Sequence, residues 1–238
     1  MVDVSGLVDA IDAGLRAEAV PERAAGEKAY LKSDLDHYGT SVPATRRVVK
    51  EHTWRRGLSH DEVVAAAGQL WREPVHERRA AAAELLEQQV GLLEAADIGL
   101  LERLLRESRT WALVDNLAAS VVGPLVEREP SLDAVLDRWA TDGDFWIRRS
   151  ALLALLLPLR QGRGDFEQFG RYADPMLEEK EFFIRKAIGW VLRDTGKLRP
   201  DLVHDWLLPR ASRASGLTIR EATRYLSPQQ RDGILAGR

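Results

Sequence analysis

The feature that most constrains this chain is a string that comes back. Phe145-Trp146-Ile147-Arg148-Arg149-Ser150-Ala151-Leu152 returns 37 residues later as Phe182-Phe183-Ile184-Arg185-Lys186-Ala187-Ile188-Gly189. A shorter echo, Ile219-Arg220-Glu221-Ala222, begins 35 residues after Ile184, and 70 residues back from Arg148 and Arg149 stand Arg78 and Arg79. A helix that opens on basic residues and continues apolar, repeated at such an interval, is the signature of stacked helical hairpins. Ala, Leu, Glu and Arg dominate the rest of the chain, and no run alternates at period two over the length of a strand. Prolines such as Pro74, Pro124, Pro158 and Pro200 fall where helices should begin or end. The expected fold is all-α, a solenoid of antiparallel helix pairs forming a single domain over residues 1–238, with Arg78, Arg148, Arg185 and Arg220 at equivalent helix positions.

Composition narrows the chemistry. Without a single Cys among its 238 residues the chain can hold neither a disulfide framework nor a thiolate metal cluster nor a cysteine nucleophile. Its 45% hydrophobic and 30% charged residues make it too apolar for disorder and too charged for a membrane bundle. The uncharged run from Ser150 to Leu159 falls well short of the roughly 20 apolar residues that a bilayer requires. The opening Met1-Val2-Asp3-Val4-Ser5 has no basic or apolar leader character, so a cytoplasmic protein is expected. The net charge is −3, yet residues 151–238 carry 15 Lys and Arg against 11 Asp and Glu. An acidic sum therefore coexists with a basic portion that can face a polyanion, because salt screens charges beyond about 10 Å.

Motifs for metal, nucleotide and triad chemistry are missing. His37, His52, His60, His76 and His204 show no zinc-ligand spacing. There is no nucleophile elbow and no phosphate loop, and Gly162-Arg163-Gly164 reads as a turn. One helix, Thr110 to Val122, stands apart. Leu113, Val114, Leu117 and Val121 make its core stripe. Trp111 and Asp115, four apart, share another flank beside the small Ala118 and Ala119. An indole face and a carboxylate on a small-residue surface can together hold a cation. Taken alone, such a pair is more often a helix-junction Trp and an ion-paired Asp.

An ordered series of strings resembles the AlkD family of DNA alkylation repair glycosylases. Glu181-Phe182-Phe183-Ile184-Arg185-Lys186-Ala187-Ile188-Gly189-Trp190-Val191-Leu192-Arg193 is similar to the family's most recognisable run. Trp111-x-x-x-Asp115 matches its Trp/Asp pair, and Asp144-Phe145-Trp146-Ile147-Arg148-Arg149 resembles the segment that carries its site arginine, at Arg149. Ala29-Tyr30-Leu31-Lys32, then Tyr38-Gly39 and Pro43-x-x-Arg46-Arg47, is similar to its N-terminal helices. The resemblance runs from about Glu27 to Leu192.

The resemblance implies HEAT-like repeats whose concave face cradles duplex DNA. It also implies excision of cationic alkylated purines without a pocket that encloses the base. Asp115, Trp111 and Trp190 would be the catalytic residues. Arg149 and Tyr30 would hold DNA, with Arg148, Arg185, Lys186, Arg46 and Arg47 as further contacts. No cofactor and no metal would be needed, no Lys is cast as a Schiff-base nucleophile, and the protein would act as a monomer away from membranes. Two rival readings stand beside this one: a glycosylase for bulky adducts left by DNA-alkylating natural products, and a non-catalytic helical-repeat scaffold or DNA binder. Fold by itself does not separate them.

Overall fold

The computed structural model describes residues 2–54 and 56–237, and the described residues form two compact units, one ending at Leu117 and the other beginning at Ala118. The first contains α1 (Val4–Ala17), α2 (Pro21–Leu31), α3 (Val42–Thr53), α4 (His60–Arg72), α5 (His76–Gln88), α6 (Ile98–Ser108) and α7 (Trp111–Asn116). In it α4 packs on α5, α1 on α3 and α4, and α5 on α3 and α7. A π-helical stretch, Leu117–Val122, follows α7. The second unit contains α8 (Gly123–Arg128), α9 (Asp133–Trp139), α10 (Phe145–Ala154), α11 (Leu156–Arg160), α12 (Phe166–Met176), α13 (Phe182–Gly196), α14 (Pro200–Leu207), α15 (Gly216–Ala222) and α16 (Pro228–Ala236). Here α13 is central, packed against α10, α11, α14 and α15.

The expected all-α repeat architecture is what the chain adopts. The second helices of successive pairs begin at His76, Trp111, Phe145, Phe182 and Gly216, at steps of 34–37 residues. The helix that carries Trp111 is thus itself a member of the repeat, which the sequence strings do not reveal. Each pair buries the apolar stripe that a lone hairpin would leave wet. Ile147, Ile184 and Ile219, from the recurring string, are all at most 2% exposed. The starts are fixed by matching caps: Asp144 accepts the amide of Trp146 at 2.9 Å, and Glu181 accepts that of Phe183 at 3.2 Å. Gly189 lets α13 and α15 touch, since a Cβ there would stand 2.8 Å from the Glu221 Cβ.

The basic positions are equivalent in only two of the four helices expected. Arg148 and Arg185 are each the fourth residue of their helix, and each donates to a carbonyl six residues earlier, Asp142 and Glu179 respectively. In α5 the fourth residue is Arg79 rather than Arg78, and in α15 Arg220 stands fifth. Caps and loop lengths differ from pair to pair, so each helix starts a residue earlier or later relative to the string.

Candidate active site

Trp111 is the first residue of α7, and Asp115 lies four residues along the same helix. That spacing stacks the two side chains on one flank, one turn apart. The predicted core stripe is present: Leu113, Val114, Leu117 and Val121 are at most 1% exposed. Trp111 and Asp115 are only partly covered. Tyr30, in the last turn of α2, is 74% exposed and meets Trp111 in a perpendicular arrangement, with ring centroids 6.0 Å apart and planes at 89°. Edge-to-face contact is a favoured aromatic geometry and holds both rings while leaving π surface for a ligand. The small neighbours behave differently from expectation, because Ala118 and Ala119 are buried. They lie in the π-helical stretch that follows α7. Next to Asp115, Asn116 donates to Glu87 at 2.8 Å, and its own amide oxygen is buried without a partner.

In the second unit, Trp190 is partly covered, and its indole N–H donates to Asp194 at 3.1 Å. Asp194 is 2% exposed and also binds Arg160 at 2.6 Å and Lys197 at 2.9 Å. Burial by itself would raise its pKa, but the hydrogen bonds from Lys197 and Arg160 prevail and hold it below the usual carboxylate value. Sequence reasoning passes over Asp194, although a carboxylate four residues after a site tryptophan on one helix is a readable signal.

The basic residues expected to meet DNA are mostly engaged with protein. Arg149 is 2% exposed, donates to the Phe183 carbonyl and lies 5.8 Å from the centre of the Phe183 ring. Arg148 forms a two-pronged pair with Glu179, at 3.1 and 2.7 Å. Lys186 pairs with Glu221 at 2.8 Å, and Arg193 contacts that same carboxylate. Arg46 pairs with Glu84 at 3.1 Å, and Arg47 with Glu18 at 2.8 Å. Two further cations, Lys32 and Arg109, flank Tyr30 and Trp111 in the chain. Nothing in their spacing singles them out.

Among the described residues one group has the spacing to hold a metal ion: Glu27, His37 and Glu77 bring one ligand atom each within 4.8 Å of one another. Glu77 is 1% exposed, and its two oxygens accept the amides of Tyr38 and Gly39 at 2.9 and 2.7 Å. Glu27 pairs with Arg23, and His37 stacks on His76 at 4.6 Å with planes 8° apart. The arrangement works as a loop anchor. Gly39 has φ +83°, and a Cβ there would lie 2.1 Å from the Val20 carbonyl, so the amide reaches Glu77 only because residue 39 is glycine.

Three comparisons bear on this geometry. A family model described as DNA alkylation repair enzyme matches residues 11–226. No curated protein matches. A solved structure described as a predicted DNA alkylation repair enzyme from Enterococcus faecalis is 24% identical, with a TM-score of 0.75 over 89% of this chain and 98% of that one. The structure of AlkD2 from Streptococcus mutans is 17% identical, with a TM-score of 0.60 over 86% of this chain and 99% of that one.

Proposed function

The chain belongs to the DNA alkylation repair enzyme family, and from that footing we propose that it is a monofunctional DNA glycosylase that excises cationic N3- or N7-alkylated purines from duplex DNA. Typical substrates would be 3-methyladenine and 7-methylguanine. The observation that carries the reading is the pairing of exposed Tyr30 with Trp111 on the helix where Asp115 follows one turn later. Two rings and a carboxylate on an open surface suit a target that is cationic and need not be enclosed.

The reaction asks little of the protein in acid catalysis. Alkylation gives the purine a formal positive charge, so the C1′–N bond breaks with its electron pair moving onto the base, which leaves neutral. Positive charge then develops on the sugar, an oxocarbenium-like state related to that of glycoside hydrolysis. The Asp115 carboxylate opposes that charge and takes the proton of the water that adds at C1′. Trp111 offers its π face to that charge, and Trp190 is proposed as a further aromatic group of the catalysis. Tyr30 packs against the deoxyribose. Arg149 grips a neighbouring phosphate, exchanging the Phe183 carbonyl for it, with Arg148, Arg185, Lys186, Arg46 and Arg47 supporting the backbone through exchange of their present carboxylate and carbonyl partners. The chain acts as one domain and as a monomer, without a cofactor.

The test is excision from duplexes that bear 7-methylguanine, 3-methyladenine or a bulky N3-adenine adduct. Wild-type protein should release at least one methylated base, and Asp115→Asn should lower that rate roughly 10²–10³-fold, as losing one major electrostatic contact of a transition state does. DNA affinity should hold or rise slightly, because an anion facing phosphates is removed. Release of only the bulky base would redirect the substrate assignment. Tight binding without release of any base would leave a DNA-binding scaffold. A folded Asp115→Asn protein working at the wild-type rate removes Asp115 from the mechanism.

A further inference from the structure

Two helices of the first unit end in the same unusual way. Lys32 closes α2 with φ 49°, and Arg109 closes α6 with φ 48°. Among the described residues they are the only non-glycine residues with positive φ. Helices that stop in this left-handed conformation normally use Gly, or Asn, because a Cβ is strained there. Strain of this kind is kept where surrounding structure and function hold it. Both residues line one cleft of about 400 Å³, together with Asp34, Arg79, Arg106 and Glu107.

The cleft's charges are unequally committed. Arg79 donates to the Glu107 carbonyl at 2.8 Å and lies 5.1 Å from the Trp71 ring centre, but its Nε is buried without a partner. Arg106 is held by Glu102 at 2.8 Å. Glu107 accepts the Trp71 indole N–H at 2.8 Å and faces Arg103 at 3.6 Å. The side chains of Lys32 and Arg109 make no hydrogen bond or ion pair with any described residue, and Asp34 lies beyond ion-pair range of both. The lining therefore has four cations against two carboxylates, and two of those cations still need an anion.

We propose that this cleft binds a phosphodiester of duplex DNA, with Lys32 and Arg109 as its two phosphate ligands. Its position supports that ligand. Lys32 lies two residues after Tyr30, and Arg109 two residues before Trp111, so the segments that bring the two rings to 6.0 Å also deliver the two cations. Helix ends locked in one conformation hold these side chains nearer to phosphate-ready than flexible surface lysines would be. The inference rests on the reading of this chain as a DNA repair protein.

Glycine supplies the test, because it removes each cation and suits the backbone. Lys32→Gly and Arg109→Gly should each melt roughly 2–4 °C higher than wild type, the shift expected when about one kcal/mol of strain is relieved in a chain of this size. Binding of an unmodified duplex oligomer, titrated with salt, should meanwhile weaken. The slope of log affinity against log salt should fall by about 0.9 for the double variant, in which the one phosphate contact is lost, and by part of that for each single variant. Arg72→Ala, at an exposed site outside the cleft, should keep the wild-type slope. Unchanged slopes in all the glycine variants, beside normal salt-dependent binding by wild type, would overturn the inference and leave the glycosylase reading in place. Wild-type protein that binds no duplex in a salt-dependent way would overturn both. Calorimetry with inorganic phosphate separates the other source of the same chemistry: phosphate binding lost in the double variant, with DNA slopes unchanged, would assign the cleft to a small anion and defeat the DNA assignment.

Discussion

Removing the Asp194 carboxylate should be among the most damaging single changes in the second unit, and its cost can be built from its contacts. Asp194 is 2% exposed and receives Arg160 at 2.6 Å, Lys197 at 2.9 Å and the Trp190 indole at 3.1 Å, with Arg193 at 3.4 Å. Hydrogen bonds to a charged group contribute about 1.5–3 kcal/mol each, and breaking a fully buried pair costs about 3–5 kcal/mol. The cations here are 21–40% exposed and can turn to water once abandoned, which discounts both figures. Asp194→Ala should therefore cost about 2–4 kcal/mol, seen as a lower urea midpoint at constant slope. Asp194→Asn retains an acceptor for Trp190 and should cost less at neutral pH. The sign with pH follows from the depressed carboxylate pKa: the advantage of wild type over Asn is full above the unfolded value of about 3.9 and disappears as pH falls through the lower folded value. An Ala variant within about 0.5 kcal/mol of wild type at pH 7 would refute this account. So would a wild-type advantage that persists in strong acid.

The stack of His37 and His76 gives a second pH signature: burial pushes His76 down to about 4, with the His37 charge adding to the effect. Folded protein should lose up to roughly 3 kcal/mol between pH 6.5 and 4, as the unfolded imidazole takes a proton that the folded one refuses, and His76→Phe should flatten that portion of a urea-midpoint profile. Glu77→Ala should destabilise by about 2–4 kcal/mol, because the buried Gly39 amide loses its acceptor, whereas Glu77→Gln should cost about half as much; a chemical melt that ranks them otherwise would refute the loop-anchor role.

Helices and their period were legible because burying an apolar stripe at 3.6-residue spacing leaves a direct trace in sequence. The string at Phe145 and its copy at Phe182 open helices at matching registers, down to the capping Asp144 and Glu181. Residues whose role is set by a partner far along the chain were less legible. Arg149 and Arg148 look like surface cations in the string, but one is 2% exposed under Phe183 and the other is spent on Glu179. Nor does the sequence betray that Ala118 and Ala119 are buried, or that the helix widens to a π-helix over Leu117–Val122. Lys32 and Arg109 are the clearest case. Their interest comes from a backbone angle, and only Gly or Asn would have advertised it.

The repeat also explains how a carboxylate can come to stand at the site. Counted from the helix start, Asp115 is the fifth residue of α7, Arg149 the fifth of α10 and Lys186 the fifth of α13. One scaffold position thus carries an anion in one repeat and cations in the next two. The neighbouring positions that do the packing, Leu113, Ile147 and Ile184, remain apolar and at most 1% exposed. The third position carries the buried stripe and its nearest-neighbour contacts, while each fifth-position charge is met by partners of its own, the Phe183 carbonyl for Arg149 and Glu221 for Lys186. The same register serves two demands of the proposed chemistry, an anion where sugar charge develops and cations for the phosphates beside it. It also bears on the Asp115→Asn experiment. Asn keeps the size and hydrogen-bonding capacity of Asp, so in a urea melt of both proteins a loss of excision far larger than the loss of stability belongs to the chemistry rather than to the fold.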